Sequence, residues 1–219
     1  MEMEFVGGRY PDLLVAGTDD TGLPKGKGVV QVWCLETREI IHTFQECVGH
    51  VSCLSVNGDG NVLLYGSADR MCRLADLRTN SHVSQFKTFL EGDLDINVVS
   101  FSPCERYITS SGEDNQTLVF DRRTNSLLHL LSHTRPAAHL APQGVTSVKW
   151  VPNSSVLISG GEDGVNLWDI NSGSPLMASH RSHSAPVSCL DYSDNIFVSG
   201  GDDQVVNIYS TAPKSFSLY

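Results

Sequence analysis

Serine, histidine and aspartate together make a nucleophilic hydrolase, and this 219-residue chain brings them near one another twice, as His50, Ser67 and Asp69 and as His183, Ser199 and Asp203. A hydroxyl activated by an imidazole that a carboxylate orients is the chemistry of acyl transfer. An enzyme needs such a group once, whereas these aspartates belong to a series. Asp20, Asp69, Asp114, Asp163 and Asp203 are separated by 49, 45, 49 and 40 residues. Each ends an apolar run that passes into Gly, Ser or Thr: LLVAGTDD, LLYGSAD, YITSSGED, VLISGGED and IFVSGGDD. A carboxylate recurring in that setting caps a turn. The groups therefore read as internal fasteners, and no catalytic residue, metal or cofactor is assigned.

The elements that position them are short. A second apolar stretch follows each aspartate: VVQVWCL (29–35), CRLADL (72–77), TLVFDR (117–122), VNLWDI (165–170) and VVNIYS (205–210). A third precedes most of them, as in VSCLSV (51–56) and PVSCLDYS (186–193). Runs of this length, rich in Val, Ile, Leu and aromatics and bounded by Gly, Asp, Asn and Ser, read as strands joined by tight turns. No window sustains a 3.6-residue period, so almost no helix is expected. Four strands to a unit of roughly 40–45 residues is the arithmetic of a propeller blade. The expected fold is all-β, one domain over 1–219, with about five blade-like units at 12–44, 49–90, 94–131, 144–180 and 183–210. The first and last have three strands each, and MEMEFV is expected to add an outer strand to the last.

The Gly49-His50 pair, the repeated S-G-x-x-D and Leu167-Trp168-Asp169-Ile170 resemble the WD-repeat (β-transducin) family. That resemblance implies a hydrogen-bonded quartet of His, Ser or Thr, Asp and Trp in each blade. It implies His50, Ser67 and Asp69 in the second unit, where Ala75 deletes the tryptophan, and His183, Ser199 and Asp203 with Tyr209 in the last. Asp114, Ser159, Asp163 and Trp168 fall at corresponding places. Family members commonly close with seven blades, so five units imply exposed blade edges, a tendency to associate, and a chain that is shortened, closes unusually small or is completed by a partner.

A second pattern carries interaction chemistry. LADLRTN (74–80) and VFDRRTN (119–125) both place an aspartate two residues before an arginine at a strand end. In WD-repeat substrate receptors of cullin-4 ubiquitin ligases, which the pattern resembles, an Asp-x-Arg box here docks on an adaptor propeller. Asp76, Arg78, Asp121 and Arg123 carry over. A guanidinium held by its aspartate makes forked hydrogen bonds suited to an interface anchor, although the same pair also closes turns where there is no ligase.

Net charge is −10, and the 15 Lys and Arg are scattered, which opposes nucleic acid as a partner. No apolar run approaches the roughly 18 residues that span a bilayer, and the start, MEMEFVGGRY, is acidic where a secretory signal is basic. Six cysteines without C-x-x-C read as reduced thiols in cytosol or nucleus. The two N-x-[ST] triplets then carry no weight. Three loops are long enough for recognition: 20–28, which lacks a phosphate loop's context; 132–144, with Arg135 as a partner-binding candidate and His133 and His139 as solvated loop histidines; and 90–97, whose Glu91, Asp93 and Asp95 could attract a basic peptide. The expectation is a non-enzymatic scaffold for other proteins, nuclear or cytoplasmic. In its sharper version it is a cullin-4 ligase subunit. The alternative is a structural subunit of a coat, pore or chromatin assembly.

Overall fold

The computed structural model describes residues 2–5, 13–19, 28–88, 94–134, 143–180, 182–210 and 217–218. Asp20, Glu91, Asp93, Arg135 and His139 lie outside them. Twenty strands form five four-stranded antiparallel sheets, with no helix among the described residues. The first holds β1 (Glu2–Phe5), β2 (Leu13–Asp19), β3 (Gly28–Cys34) and β4 (Glu39–Phe44). The second holds β5 (Val51–Val56), β6 (Val62–Ser67), β7 (Met71–Asp76) and β8 (Ser81–Lys87), and the third β9 (Ile96–Phe101), β10 (Tyr107–Gly112), β11 (Gln116–Asp121) and β12 (Ser126–Ser132). The fourth holds β13 (Val145–Trp150), β14 (Val156–Gly161), β15 (Gly164–Asp169) and β16 (Ser174–His180), and the fifth β17 (Val187–Ser193), β18 (Ile196–Gly201), β19 (Val206–Ser210) and β20 (Ser217–Leu218). Every sheet is a meander in chain order, its strands two to seven residues long.

The chain ends correct the expected strand count. Residues 2–5 do not join the last unit: β1 pairs antiparallel with β2, with Met3 opposite Ala16, as the first strand of the first sheet. The fifth sheet takes its outer strand from β20, where Leu218 faces Tyr209.

The turns explain the repeated polar residues. After each described capping aspartate the chain enters the left-handed region, at Arg70 (φ 65°), Asn115 (61°), Gly164 (102°) and Gln204 (66°). The turn into the outer strand does the same at Asn80, Asn125 and Gly173, and asparagine and glycine adopt that conformation at low cost.

The sheets bury their faces against one another in chain order. Four apolar clusters lie at the four successive interfaces, for instance Leu64, Cys72 and Leu74 of the second sheet against Ile96, Val99 and Ile108 of the third. Each incoming inner strand presents a branched residue and, three positions on, a second apolar one: Val51/Leu54, Ile96/Val99, Val145/Val148 and Val187/Leu190. A small residue on the preceding sheet admits the first of these. A Cβ added to Gly66 would lie 2.9 Å from Ile96 Cγ2, and one on Gly160 2.7 Å from Val187 Cγ1. Sheets packed radially through such joints form a β-propeller.

Candidate functional site

The fourth sheet builds the fastener in full. His133 Nδ1 lies 3.1 Å from Asp163 Oδ1, and His133 Nε2 lies 3.0 Å from Ser159 Oγ. Trp168 Nε1–H donates to the same hydroxyl at 2.8 Å, while Asn166 Nδ2–H and the Thr134 backbone N–H donate to Asp163 at 3.0 and 2.9 Å. The consistent proton order runs from indole to hydroxyl to imidazole to carboxylate. In the fifth sheet His183 meets Asp203 at 3.0 Å and Ser199 at 2.7 Å, with Tyr209 stacked on Phe197 at 4.3 Å. Burial pushes the Asp163 carboxyl up, but the donors from His133, Asn166 and Thr134 outweigh it and hold it below the usual range. The bond from His183 takes Asp203 down to about 2.

These are the distances of a catalytic triad, and the surroundings decide their use. Ser159 and Ser199 have no exposed surface, and the Ser159 oxygen already accepts the indole N–H. No acyl group can reach either hydroxyl. The arrangement instead ties the loop before the inner strand to the turn after the second strand.

His133 itself corrects an expectation, because it is buried in this network and is not a solvated loop residue. Its distance from the strand it serves, stretched by residues 135–142, hid it. In the second sheet the correction falls on His50 and Ser67. His50 Nε2 faces Asp95 Oδ2 at 3.4 Å, and register places Tyr65 opposite Leu54 as Ser199 stands opposite Leu190. Val48 N–H donates to Asp69 as Ser184 N–H does to Asp203, at 3.0 and 2.8 Å. Cys47, not His50, therefore occupies the histidine position. In place of an imidazole, Arg73 grips Asp69 with two bonds of 3.0 and 2.7 Å. A ring at 65 and a methyl at 75 reverse the small-then-large order of Ser159 and Trp168. Both lie in one cluster with Phe44.

In the third sheet Thr88 holds the histidine position, its N–H bonded to Arg70 O as that of His133 is to Asn115 O. Asp114 keeps its turn contact with Gln116 N–H at 3.1 Å, and burial raises its pKa.

The opposite ends of the strands carry the arginines. Asp76 accepts the Arg78 backbone N–H at 2.9 Å, and Arg78 Nε and Nη2 close a fork on it at 3.1 and 2.6 Å. That fork holds the Asp76 carboxyl down at about 2, while 54% of the Arg78 side chain remains exposed. The second box differs: Arg123 reaches Asp121 through its backbone N–H, 2.8 Å, and the guanidinium on Asp121 belongs to Arg106, at 3.0 and 2.9 Å. Asp169 caps the same turn with no arginine, accepting Asn171 N–H at 3.1 Å. The aspartate thus serves the turn, and the guanidinium is an addition to it. Glu105 links the two arginine-bearing sheets by accepting Asn57 Nδ2–H at 2.9 Å while facing Arg122 at 3.6 Å. Beside them a cleft of about 420 Å3 opens among Pro103, Cys104, Tyr107, Trp150 and Ile170. Its two rings stack at 6.4 Å, with the Arg106 guanidinium 5.0 Å over Tyr107. Sequence reading missed Arg106 and Arg73, since each reaches its aspartate from outside the Asp-x-Arg spacing that drew attention.

Buried fasteners, meander sheets and arginine-bearing loops define a radial scaffold. The model of the WD domain, G-beta repeat, matches residues 38–76, 84–121, 131–169 and 174–210, each match taking the outer strand of one sheet and three strands of the next. The chain belongs to that family. It is 27% identical over 202 residues to the U3 small nucleolar RNA-associated protein 15 homolog of Xenopus laevis, covering 91% of this chain and 36% of the relative. It is 25% identical to the THO complex subunit 6 homolog of Danio rerio, covering 79% and 56%, and 25% identical to Rik1-associated factor 1 of Schizosaccharomyces pombe, covering 93% and 34%. The chain spans roughly a third to just over half of these relatives' length.

Proposed function

We propose that this protein is a non-catalytic WD-repeat subunit of a larger nuclear assembly, held in it by the arginine-bearing end of its second and third sheets. The observation that carries the reading is Arg78, oriented by a two-point bond to Asp76 yet largely exposed. A guanidinium oriented before binding loses little freedom on docking, and its planar face and edge suit a carboxylate or carbonyl. Arg106 and the Tyr107–Trp150 cleft add the aromatic and arginine chemistry that anchors interfaces. The relatives named for a complex subunit or an associated factor support assembly and a nuclear setting. The test is quantitative co-purification of the tagged protein against the triple variant Arg78→Ala, Arg106→Ala, Arg123→Ala. One set of partners is expected to be lost while thermal unfolding stays cooperative; an unchanged partner set overturns the reading.

The fork on Asp76 also favours a second reading, docking on a cullin-4 adaptor propeller. Direct binding to the purified adaptor that Arg78→Ala with Arg123→Ala abolishes would select it; absence of binding leaves the assembly reading alone.

A further inference from the structure

The joint between sheets is built four times, and half of it is built a fifth time. In the fourth sheet the outgoing face presents Ile158, Gly160, Val165 and Leu167, with Gly160 opposite Val165 and Ile158 opposite Leu167, and both Val165 and Leu167 are 0% exposed beneath the fifth sheet. The fifth sheet repeats the pattern: Gly200 stands opposite Val206 and Val198 opposite Ile208. Here Val206 is 69% and Ile208 43% exposed, and Cys189 beside them is also exposed. Among the described residues the glycine socket is open as well. Where a Cβ on Gly17, Gly66 or Gly160 would strike the next sheet's Val51, Ile96 or Val187, one on Gly200 meets only Cys189 of its own sheet. Among the described residues no strand packing of comparable extent joins the fifth sheet to the first.

We infer that the face formed by Val198, Gly200, Val206 and Ile208 is a docking site for the incoming face of a propeller blade from a partner polypeptide. The chemistry of the occupant follows from the four joints that are filled: an inner strand with Val or Ile entering the glycine socket and Val or Leu three residues later. This chain's first sheet offers Glu2-Met3-Glu4-Phe5 as its inner strand, which has no such spacing, so a second copy docking head to tail lacks the matching residues. The inference is independent of the arginine-bearing end.

The probe is a cyclised hairpin carrying residues 186–201 of this chain, with its cysteine replaced by serine, since Val187, Leu190 and Phe197 make up an incoming face. Saturable binding to the intact protein by fluorescence anisotropy is expected, together with at least a five-fold slowing of maleimide attack on Cys189 and none on Cys104. Gly200→Ile, which closes the socket, is expected to weaken binding at least ten-fold. Val206→Glu gives a second blocked face should that variant fold poorly. The inference is overturned if the hairpin does not bind, if a hairpin with Val187→Asp and Leu190→Asp binds equally, or if sedimentation shows a dimer that Val206→Glu dissolves.

Discussion

The second and fourth sheets hold the same aspartate by different means. Asp163 is held by an imidazole that arrives from the preceding loop, and its network runs on through Ser159 to an indole. Asp69 is held by Arg73, four residues along its own sheet, and the place of the indole is taken by a methyl. Both aspartates still clamp the N–H of the residue after the histidine position, at Thr134 and Val48. What the repeat retains is the carboxylate's grip on that loop; the side chain that donates to it is exchangeable. The third sheet, with Thr88, supplies neither an imidazole nor a guanidinium at that place.

The comparison breaks most visibly at Asp69. Asp69→Asn leaves Arg73, whose side chain is 8% exposed, as a buried cation without its counter-charge, and losing one partner of such a pair costs about 3 kcal/mol. A fall of that size in urea-unfolding stability is expected, with more than half of it recovered by adding Arg73→Leu. In the fourth sheet Asp163→Asn is milder, about 1–3 kcal/mol, because the amide oxygen can still accept from His133 and no full charge is stranded. Equal losses at the two sites would show that the arginine and the imidazole are equivalent after all.

Acid sharpens the contrast further. The carboxyls of Asp69, Asp163 and Asp203 lie below their ordinary value when folded, Asp203 at about 2. Their stabilisation is complete above the unfolded carboxylate range, near 4, and is lost as pH falls through each folded pKa. Asp114 has the opposite sign, since burial raises its pKa. Its charge is a cost that appears as pH rises through the folded value. Asp114→Asn is therefore expected to stabilise the protein at pH 7 by under about 1 kcal/mol, keeping the Gln116 turn contact, and to have no such effect below the unfolded carboxylate range, near 4. An acid-unfolding series of the Asp163→Asn and Asp114→Asn proteins reads both signs.

The period, the strand pairs and the capping aspartates were legible because turn chemistry is local: an aspartate, a left-handed residue and an apolar run lie within ten residues of each other. The fasteners were less so. His133 is separated from its strand by a loop, and a Gly-His dipeptide drew attention to His50, whereas counting back from Val51 as from Val187 leads to Cys47. Arg73 and Tyr65 were illegible as substitutes, since exchange of a ring and a methyl across a strand pair is visible only in register. The arginine boxes were found by spacing, but which guanidinium reaches Asp121 depends on a turn from a different hairpin.

The smallest stability effect belongs to Arg78, and it separates scaffold from surface. Its bond to Asp76 is short and two-pronged, and Asp76 is held at about 2. A fork that is half in water is nevertheless screened, and exposed pairs contribute about 0–1 kcal/mol. Asp76 retains its turn function in Arg78→Ala through the backbone N–H at that position, as Asp169 does with asparagine. The variant is thus expected to unfold within about 0.5 kcal/mol of the parent while losing partners, the reverse of Asp69→Asn, which unsettles the sheet from within. Should Arg78→Ala lower the urea midpoint as far as Asp69→Asn does, the fork is a member of the scaffold, and its exposure is no longer a reason to place a partner there.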